Sequence, residues 1–388
     1  MDTQGKLAHL ADVSRYDLSC ACGGRNDDHR RRGPGGTWVY PASVPRGGES
    51  VMLKTLLSSA CVNDCRYCPL RCQQDVPRHT LAAEELAGAF MGFVRRGGIH
   101  GLFLSSGVVR SADHTMDRMV AVLRLLRQKH AYRGFLHLKV IPGCSDAAIE
   151  ESLGLADVVS LNVEVPTRAA LAPLSSRKDF DRDIVRPIKL ISRLTARGGP
   201  HERTRQMTQF IVGASSETDA QIVKATFGLY RRLGLSRVYF SAYQRGLGDP
   251  SIPGERACSD AARRFPSPDA PMGTLRTSDL LTREHRLYQA DFLIRKYRWD
   301  ERDFIFGADG SLPLAGDPKQ LWADAHREFF PVRLRSAGME TLLRVPGIGP
   351  TTAGRIVKTR REGVLRGLRD VGLRGKRLAR AAGYVVMD

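Results

Sequence analysis

From Val51 onward, short apolar runs alternate with longer stretches in which apolar residues recur at helical spacing. The runs predict six strands, at Val51–Ser58, Gly101–Ser106, Phe135–Ile141, Asp157–Val165, Gln206–Val212 and Arg237–Ala242. The stretches between them predict helices at about 81–96, 113–130, 145–153, 183–197 and 218–233. Thr80 is the expected N-cap of the first helix. Right-handed crossovers build such a repeat into an open doubly wound sheet or a full or partial TIM-type barrel. Both place their chemistry at the carboxyl ends of the strands.

The flanking regions lack this alternation. Residues 1–50 are polar and rich in Gly and Arg, and the run Arg25–Gly36 within them indicates an exposed loop. Residues 250–275 are rich in Pro, Arg and Ser, which also indicates a loop. Helical periodicity returns near 279–297 and 318–328, and a compact basic helical tail begins at about Gly338. We therefore predict an N-terminal extension (1–50), an α/β domain (51–250), a mixed helical and loop segment (251–330) and a small helical domain (331–388).

Composition and charge narrow the class of protein. With 388 residues, 42% apolar and 26% charged, the chain is expected to be globular. No apolar run reaches membrane-spanning length and Met1–Leu10 has no apolar signal core, so we expect a cytoplasmic protein with no membrane partner. The net charge of +19 favours a polyanionic partner, nucleic acid first, although arginines that merely cover a solvated surface are the alternative. Residues 331–388 carry thirteen Lys/Arg against four Asp/Glu, a net +9.

Four of the eight cysteines fall within twelve residues, directly after the first predicted strand. Cys61, Cys65 and Cys68 have C-x3-C-x2-C spacing, and three such thiolates can hold three irons of a [4Fe–4S] cluster while the fourth iron stays open. Cys72 follows closely, so a structural zinc site or a four-cysteine electron-transfer cluster is an alternative. Zinc sites prefer paired C-x2-C knuckles, which favours the open cluster. Cys20 and Cys22 are a further candidate metal pair.

This motif, with Tyr67 just before its last cysteine, resembles the signature of the radical S-adenosylmethionine (SAM) superfamily. The resemblance implies an α/β fold, a partial (β/α)6 TIM-type barrel. It also implies that the open iron chelates SAM. Reduction of the cluster would then cleave SAM to a 5′-deoxyadenosyl radical, which abstracts a hydrogen atom from the substrate.

The resemblance assigns SAM contacts to the ends of later strands. At the end of the second strand, the family has a Gly-Gly-Glu-like stretch. This chain has small residues there and lacks the Glu: Ser105, Ser106 and Gly107. On the fourth strand, strand periodicity puts Ser160, Asn162 and Glu164 on one face. Burying three polar side chains is costly unless they bind something, so we expect ribose and methionine contacts there. A solvated edge strand is the alternative.

The fifth strand and its exit are similar to the family's adenine-contacting G-x-I-x-G-x-x-E stretch. Gln209 stands in place of the first Gly, and Ile211, Gly213 and Glu217 match the rest. Gly213 is expected to allow a close turn and Glu217 to sit in the first turn of the next helix. The sixth strand ends near Tyr243, where the family packs the adenine.

The basic tail resembles a helix–hairpin–helix (HhH) motif, with Val345-Pro-Gly-Ile-Gly349 as the hairpin. We expect Val345, Ile348, Ala353 and Ile356 to pack its two helices together. The amide groups at the start of the second helix suit a phosphate. The predicted DNA-binding residues are Gly347, Ile348, Gly349, Thr351, Arg355 and Lys358. A structural or protein-binding hairpin is the alternative, and a degenerate second copy is expected at 368–382.

Together, the two parts resemble a bacterial group of radical SAM proteins assigned to DNA modification or repair and associated with uracil-DNA-glycosylase-like partners. The resemblance implies radical chemistry on DNA with an electron donor as a further partner. Radical modification of an RNA, a protein or a small molecule is one alternative. A non-catalytic DNA-binding redox sensor with an iron–sulfur cluster is another. No pair of titratable residues stands out as a substrate-specific acid and base.

Overall fold

The computed structural model describes residues 1–14, 31–32, 38–43, 49–256 and 277–388. Within these ranges the chain divides into two compact units. The first is Met1–Glu217 with Gly228–Glu284, and the second is Thr218–Phe227 with His285–Asp388. The predicted domain boundaries at residues 50, 250 and 330 stay predictions.

The first unit contains a sheet that has eight strands among the described residues. They are β1 (Arg31–Arg32), β2 (Trp38–Ser43), β3 (Glu49–Leu56), β4 (Gly101–Ser105), β5 (Phe135–Lys139), β6 (Val158–Ser160), β7 (Arg205–Val212) and β8 (Arg237–Ala242). The first three pair antiparallel, and β3 to β8 are parallel, each beside its predecessor. A doubly wound sheet reverses its strand order at a switch point, whereas a barrel does not. The predicted partial TIM-type barrel is therefore confirmed.

Helices of the first unit connect these strands and cover one face of the sheet. They are α1 (Thr3–Val13), α2 (Ala83–Arg95), α3 (Ala112–Arg124), α4 (Asp146–Leu155), α5 (Arg168–Leu171), α6 (Arg186–Thr195) and α7 (Asp219–Leu233), whose first part, up to Phe227, belongs to the second unit. Leu53, Leu102 and Leu136 are aligned across three strands and fully buried. The next register position, from Lys54 to His137, faces the opposite way, because side chains alternate along a strand. The helix-covered face is therefore apolar and the other face carries the polar chemistry.

Two local predictions are wrong. Thr80 is not the N-cap of α2: the helix starts at Ala83, Glu85 accepts the Ala82 amide at 2.7 Å, and Thr80 instead lies 2.7 Å from the hydroxyl of Ser58. The fourth strand is shorter than Asp157–Val165, since β6 ends at Ser160. Near the end of the predicted run, Glu164 has φ +63, in the left-handed region, so the run is not extended throughout.

The second unit is helical apart from a small sheet. Its helices are the C-terminal part of α8 (Thr277–Tyr297), then α9 (Pro318–Ala325), α10 (Met339–Arg344), α11 (Pro350–Arg361) and α12 (Gly375–Ala382), and the strands β9 (Val332–Arg333) and β10 (Val385–Val386) pair in parallel. Trp299 is fully buried against Trp322, and the guanidinium of Arg344 lies about 4.5 Å from both indole rings. Among the helices described here, none is both long and apolar enough to cross a membrane.

Candidate active site

A cleft opens at the carboxyl ends of the parallel strands. Its wall includes residues of β3, β4, β5, β7 and β8 and of the segment after β6. A flat sheet of that width would not share one cleft, so the described strands curl around it. Twelve predicted site residues line the cleft: Cys61, Cys65, Tyr67, Cys68, Ser105, Ser106, Gly107, Asn162, Glu164, Gln209, Ile211 and Tyr243.

The cysteine loop, residues 61–72, lies at this cleft. The thiol of Cys61 accepts the amides of Asn63 and Val108, and that of Cys68 accepts the amide of Leu70, each at 3.4 Å. Burial raises the pKa of Cys65, and burial followed by the charge of Cys65 raises that of Cys68 to about 12. Amide hydrogen bonds to sulfur and a water-poor setting are the conditions in which a protein tunes an iron–sulfur cluster. The donor set and its surroundings therefore fit a cluster.

Cys72 differs from these three. It is exposed and is not among the described residues that line the cleft, and its backbone amide donates to the Asn63 carbonyl at 2.9 Å. Within the described part of the chain, no three His, Cys, Asp or Glu side chains form a group suited to a single metal ion. The predicted pair Cys20 and Cys22 lies outside the described residues.

The shape of the cysteine loop is fixed by Arg78. Its guanidinium donates to four backbone carbonyls, those of Ser59, Leu70, Arg71 and Gln74, at 2.6–2.9 Å. A planar guanidinium with five donors suits this task, because it satisfies several carbonyls of a turning backbone at once. The two ends of the cysteine loop are thereby gathered around one side chain.

A second clamp joins the cysteine loop to a distant segment. Asp64 accepts the hydroxyls of Ser175 and Ser176 at 2.5 Å and the amide of Ser176 at 2.9 Å. Burial opposes ionisation of Asp64, but these hydrogen bonds outweigh it and lower its pKa to about 2. The amide of Arg66 also donates to the Leu174 carbonyl at 2.8 Å. Residues 174–178 are therefore part of the site.

Gly107 lets the cysteine loop approach β4. A Cβ atom at this position would lie 2.4 Å from the Ala60 carbonyl oxygen and 3.2 Å from Cβ of Cys61. The amide of Gly107 donates to the Ser58 carbonyl at 2.7 Å. A side chain here would push the loop away from the strand. The small-residue stretch after β4 therefore has a structural reason in addition to any contact with SAM.

Lys178 is a residue of the cleft that the sequence did not reveal. Its ammonium lies 3.2 Å from Glu164 Oε1 and 3.1 Å from the Tyr67 hydroxyl, and the Lys178 and Glu164 side chains are each 9% exposed. Burial alone would lower the pKa of Lys178, but the charges of Cys65 and Glu164 reverse the direction and raise it. Burial followed by Glu164 raises the pKa of Tyr67. Lys178 follows a segment without regular periodicity, so no pattern signalled it.

Two predicted residues support the cleft without lining it. The Ser160 hydroxyl lies 2.9 Å from His137 Nε2, and both residues are buried. Gly213 has φ +87 and donates its amide to Glu217 Oε1 at 2.6 Å. Glu217 precedes α7 instead of lying in its first turn, and its side chain holds the turn while Arg283 lies 3.6 Å away. Burial raises the pKa of Glu217 against the opposing charge of Arg283.

At the end of β8, Tyr243 is held by Glu255. The Tyr243 hydroxyl donates to Glu255 Oε1 at 2.6 Å, and the same oxygen accepts the Gly246 amide at 2.7 Å. Burial, then this carboxylate, raises the pKa of Tyr243. The ring is 4% exposed and lines the cleft, so its position is set before any ligand arrives.

In the second unit, the C-terminal hairpin, Val345–Gly349, joins α10 to α11. Val345, Ile348, Ala353 and Ile356 are all buried, as their apolar spacing predicts. Gly347 has φ +85, and a Cβ atom there would lie 2.6 Å from the Arg377 carbonyl in α12.

The predicted phosphate contacts follow the hairpin. The N-cap residue of α11, Gly349, has no side chain that could accept the first helical amides. Thr351, Arg355 and Lys358 on the helix are exposed. The ammonium of the buried Lys319 donates to the Ile348 carbonyl at 2.5 Å, and burial lowers its pKa to about 7. The structure therefore places the predicted DNA-binding residues on and directly after one tight turn.

Comparison with known proteins gives resemblances of structure only. No protein-family model and no curated protein matches the chain. Methylornithine synthase (PylB) is 13% identical with a TM-score of 0.45, over 62% of either chain. HydG, a maturase of the [FeFe]-hydrogenase, is 12% identical with a TM-score of 0.43, over 84% of this chain and 82% of that one. The radical SAM methyltransferase TsrM from Kitasatospora setae is 14% identical with a TM-score of 0.42, over 67% and 47%. This chain thus spans less than two thirds of PylB and of TsrM. Because these TM-scores are below 0.5, its function must be inferred from its own residues.

Proposed function

We propose that this chain is a radical SAM enzyme that holds a [4Fe–4S] cluster on Cys61, Cys65 and Cys68 and SAM in the adjoining cleft. One observation carries the proposal: a C-x3-C-x2-C loop lies at a cleft shared by the ends of the described parallel strands. Binding at the carboxyl ends of barrel strands is general for this architecture. When bound, the cluster supplies the electron for reductive cleavage of SAM to a 5′-deoxyadenosyl radical.

The residues of the chain have separate roles in this proposal. Three cysteine thiolates hold the cluster, and exposed Cys72 stays outside the ligand set. The stretch Ser105–Gly107 would bind the methionine part of SAM, and Asn162 with Glu164 would bind its ribose and methionine. Gln209, Ile211 and Tyr243, which also line the cleft, would contact the adenine.

For the substrate we propose DNA, undergoing modification or repair. Support comes from the net +9 of residues 331–388 and from the exposed residues that follow the C-terminal hairpin. Backbone amides at the start of α11, with Thr351, Arg355 and Lys358, would contact phosphates without reading sequence. A target base would leave its stack to reach a barrel cleft. A uracil-DNA-glycosylase-like partner and an electron donor belong to the same proposal.

The test of the enzyme proposal is anaerobic reconstitution with iron and sulfide, followed by dithionite and SAM, with 5′-deoxyadenosine measured. We expect product from the wild type and none from Cys65→Ala. A fully loaded cluster that gives no product, with or without DNA, would overturn the enzyme proposal and support a redox sensor.

The test of the substrate is the same assay with duplex DNA, single-stranded DNA, RNA or no nucleic acid. We expect DNA to raise the yield of 5′-deoxyadenosine and to be changed in mass in the same samples. If only RNA raises the yield, or if none of the nucleic acids raises it, DNA is overturned as the substrate. The radical SAM proposal would stay intact in both cases.

A further inference from the structure

Lys178 is a buried cation in the wall of the cleft. Its side chain is 9% exposed, and its ammonium has two neighbours at hydrogen-bond distance, Glu164 Oε1 at 3.2 Å and the Tyr67 hydroxyl at 3.1 Å. Removing an ammonium from water costs several kcal/mol, even where a partner offsets part of the cost. A protein that retains such a pair at a ligand cleft has a use for the charge.

The partner of Lys178 is held in a strained conformation. Glu164 has φ +63, which non-glycine residues rarely adopt. Its amide donates to the Gln209 carbonyl at 3.1 Å, and its carbonyl accepts the Ile211 amide at 2.8 Å, so β7 fixes its backbone. Strain that surrounding hydrogen bonds maintain is typical of functional sites. The carboxylate of Glu164 is thus directed to Lys178 by the fold.

Lys178 is also bound to the cysteine loop through its own segment. Ser175 and Ser176 hold Asp64, and Arg177 donates to the Val62 carbonyl. Lys178 also lines the same cleft as Cys65 and Cys68, and its ammonium lies 3.1 Å from the hydroxyl of Tyr67, which stands between these two cysteines in the chain. The same segment therefore carries both the clamps of the loop and a cation in the wall of the cleft that the cysteines line.

We infer that Lys178 is a positioning residue for the cluster, whose charge, held in the cleft wall beside the cysteine loop, makes the bound cluster easier to reduce. Reduction adds one electron, supplied by the reductant, and breaks no bond. A cation in the wall of the cluster site stabilises the more negative, reduced state more than the oxidised state. The inference rests on the proposed cluster site and adds a residue that neither the cysteine motif nor the SAM contacts include.

The experiment is an EPR-monitored redox titration of the reconstituted protein without SAM, for wild type, Lys178→Met, Lys178→Arg and Glu164→Gln. We expect Lys178→Met, which keeps the length of the side chain and removes its charge, to lower the reduced-to-oxidised ratio at fixed potential at least tenfold. For one electron this equals about 59 mV. Lys178→Arg should stay near the wild type.

Glu164→Gln should change the reduced-to-oxidised ratio in the opposite direction. The ratio should rise because this variant removes the negative partner of Lys178 and leaves the cation. The double variant Lys178→Met/Glu164→Gln, which leaves no buried unpaired charge, should return towards the wild type. A merely structural role would not produce shifts of opposite sign that cancel.

Each outcome separates the inference from the proposal beneath it. Wild type that binds no cluster contradicts the proposed function itself. Wild type that binds a cluster, with variants that load iron fully and titrate at the wild-type potential, overturns the role of Lys178 alone. If Lys178→Met loads no iron, Glu164→Gln and the double variant decide the question. The role of Lys178 is also overturned if the reduced-to-oxidised ratio does not rise in Glu164→Gln and does not return towards the wild-type ratio in the double variant.

Discussion

The cysteine loop and the C-terminal hairpin are both tight connections, but different forces hold them. The cysteine loop is fixed by hydrogen bonds. Arg78 donates to four backbone carbonyls, and Asp64 accepts three hydrogen bonds from residues 175 and 176. The hairpin is fixed mainly by apolar packing, with Val345 and Ile348 almost completely buried. Lys319 adds a polar tie to the Ile348 carbonyl.

The difference follows from what each connection must present. A cluster site needs sulfur atoms in a water-poor cleft, so the backbone around them is buried and every carbonyl needs a donor. A phosphate site needs exposed amides and side chains, so packing behind the turn is sufficient. Variants should therefore affect the first connection through lost hydrogen bonds and the second through lost packing or lost charge.

The largest effect is expected at Cys65. Cys65→Ala removes one of three proposed ligands, and we expect loss of the iron–sulfur absorbance and of 5′-deoxyadenosine formation. The matched variant is Cys72→Ala, which should load iron and cleave SAM like the wild type, since Cys72 is exposed and away from the cleft. Iron and sulfide content per chain measures both. Loss of iron in Cys72→Ala would contradict the open-site ligand set.

How far the sequence predicted this site depends on distance along the chain. The cysteine motif and the β-strand periodicity are local patterns, so the barrel and its cleft could be predicted. Lys178 and Ser175 lie 111 residues after Tyr67 and Asp64, their respective partners, and no periodicity marks them. Only the folded backbone brings such pairs together.

Predictions that depended on backbone detail were less successful. Strand periodicity put Ser160, Asn162 and Glu164 on one face, but the strand stops at Ser160. Asn162 and Glu164 nevertheless line the cleft, and hydrogen bonds to Gln209 and Ile211 of β7 hold the backbone of Glu164 there. In the hairpin, by contrast, all the apolar residues chosen from their spacing are buried, because its contacts are mostly local.

The second effect concerns the polar clamp. Arg78→Ala leaves four carbonyls without their donor, so we expect the free energy of unfolding to fall by about 3 kcal/mol and iron uptake to drop. Urea denaturation and iron content are the measurements. The control is Arg95→Ala at an exposed helix end, expected to change stability by less than about 0.5 kcal/mol. Equal stability of the two variants would show that the loop keeps its shape without Arg78.

The third effect separates packing from backbone conformation in the second unit. Gly347 and Gly363 both have positive φ, +85 and +75. A Cβ atom added at Gly347 would lie 2.6 Å from the Arg377 carbonyl oxygen, whereas one added at Gly363 would have no neighbouring atom of the described residues within 4 Å. Gly347→Ala should therefore cost about 2–3 kcal/mol and Gly363→Ala about 1 kcal/mol. Unfolding followed by tryptophan fluorescence measures both costs.

Gly347→Ala should also bind DNA more weakly, while its SAM cleavage in the absence of DNA stays unchanged. This result would show that the C-terminal hairpin and the cysteine loop act separately. Equal costs would mean that α12 yields to the added methyl group.

The smallest effect tests whether the hairpin region acts by charge. Lys358 is exposed on α11, and its ion pair with Glu362, at 3.9 Å and with side chains 78% and 54% exposed, contributes little to stability. Lys358→Ala should therefore leave the free energy of unfolding unchanged but reduce the slope of log affinity for DNA against log salt by about 0.9, the loss of one phosphate contact.

Lys189→Ala, which removes an exposed lysine of α6 in the first unit, is the matched control and should leave the slope unchanged. Arg355 is less suitable because it also donates to the Val371 carbonyl at 3.5 Å, so its loss would mix packing with charge. If both lysine variants reduce the slope equally, DNA binding follows the overall charge of the chain. A change confined to Lys358→Ala assigns that contact to α11.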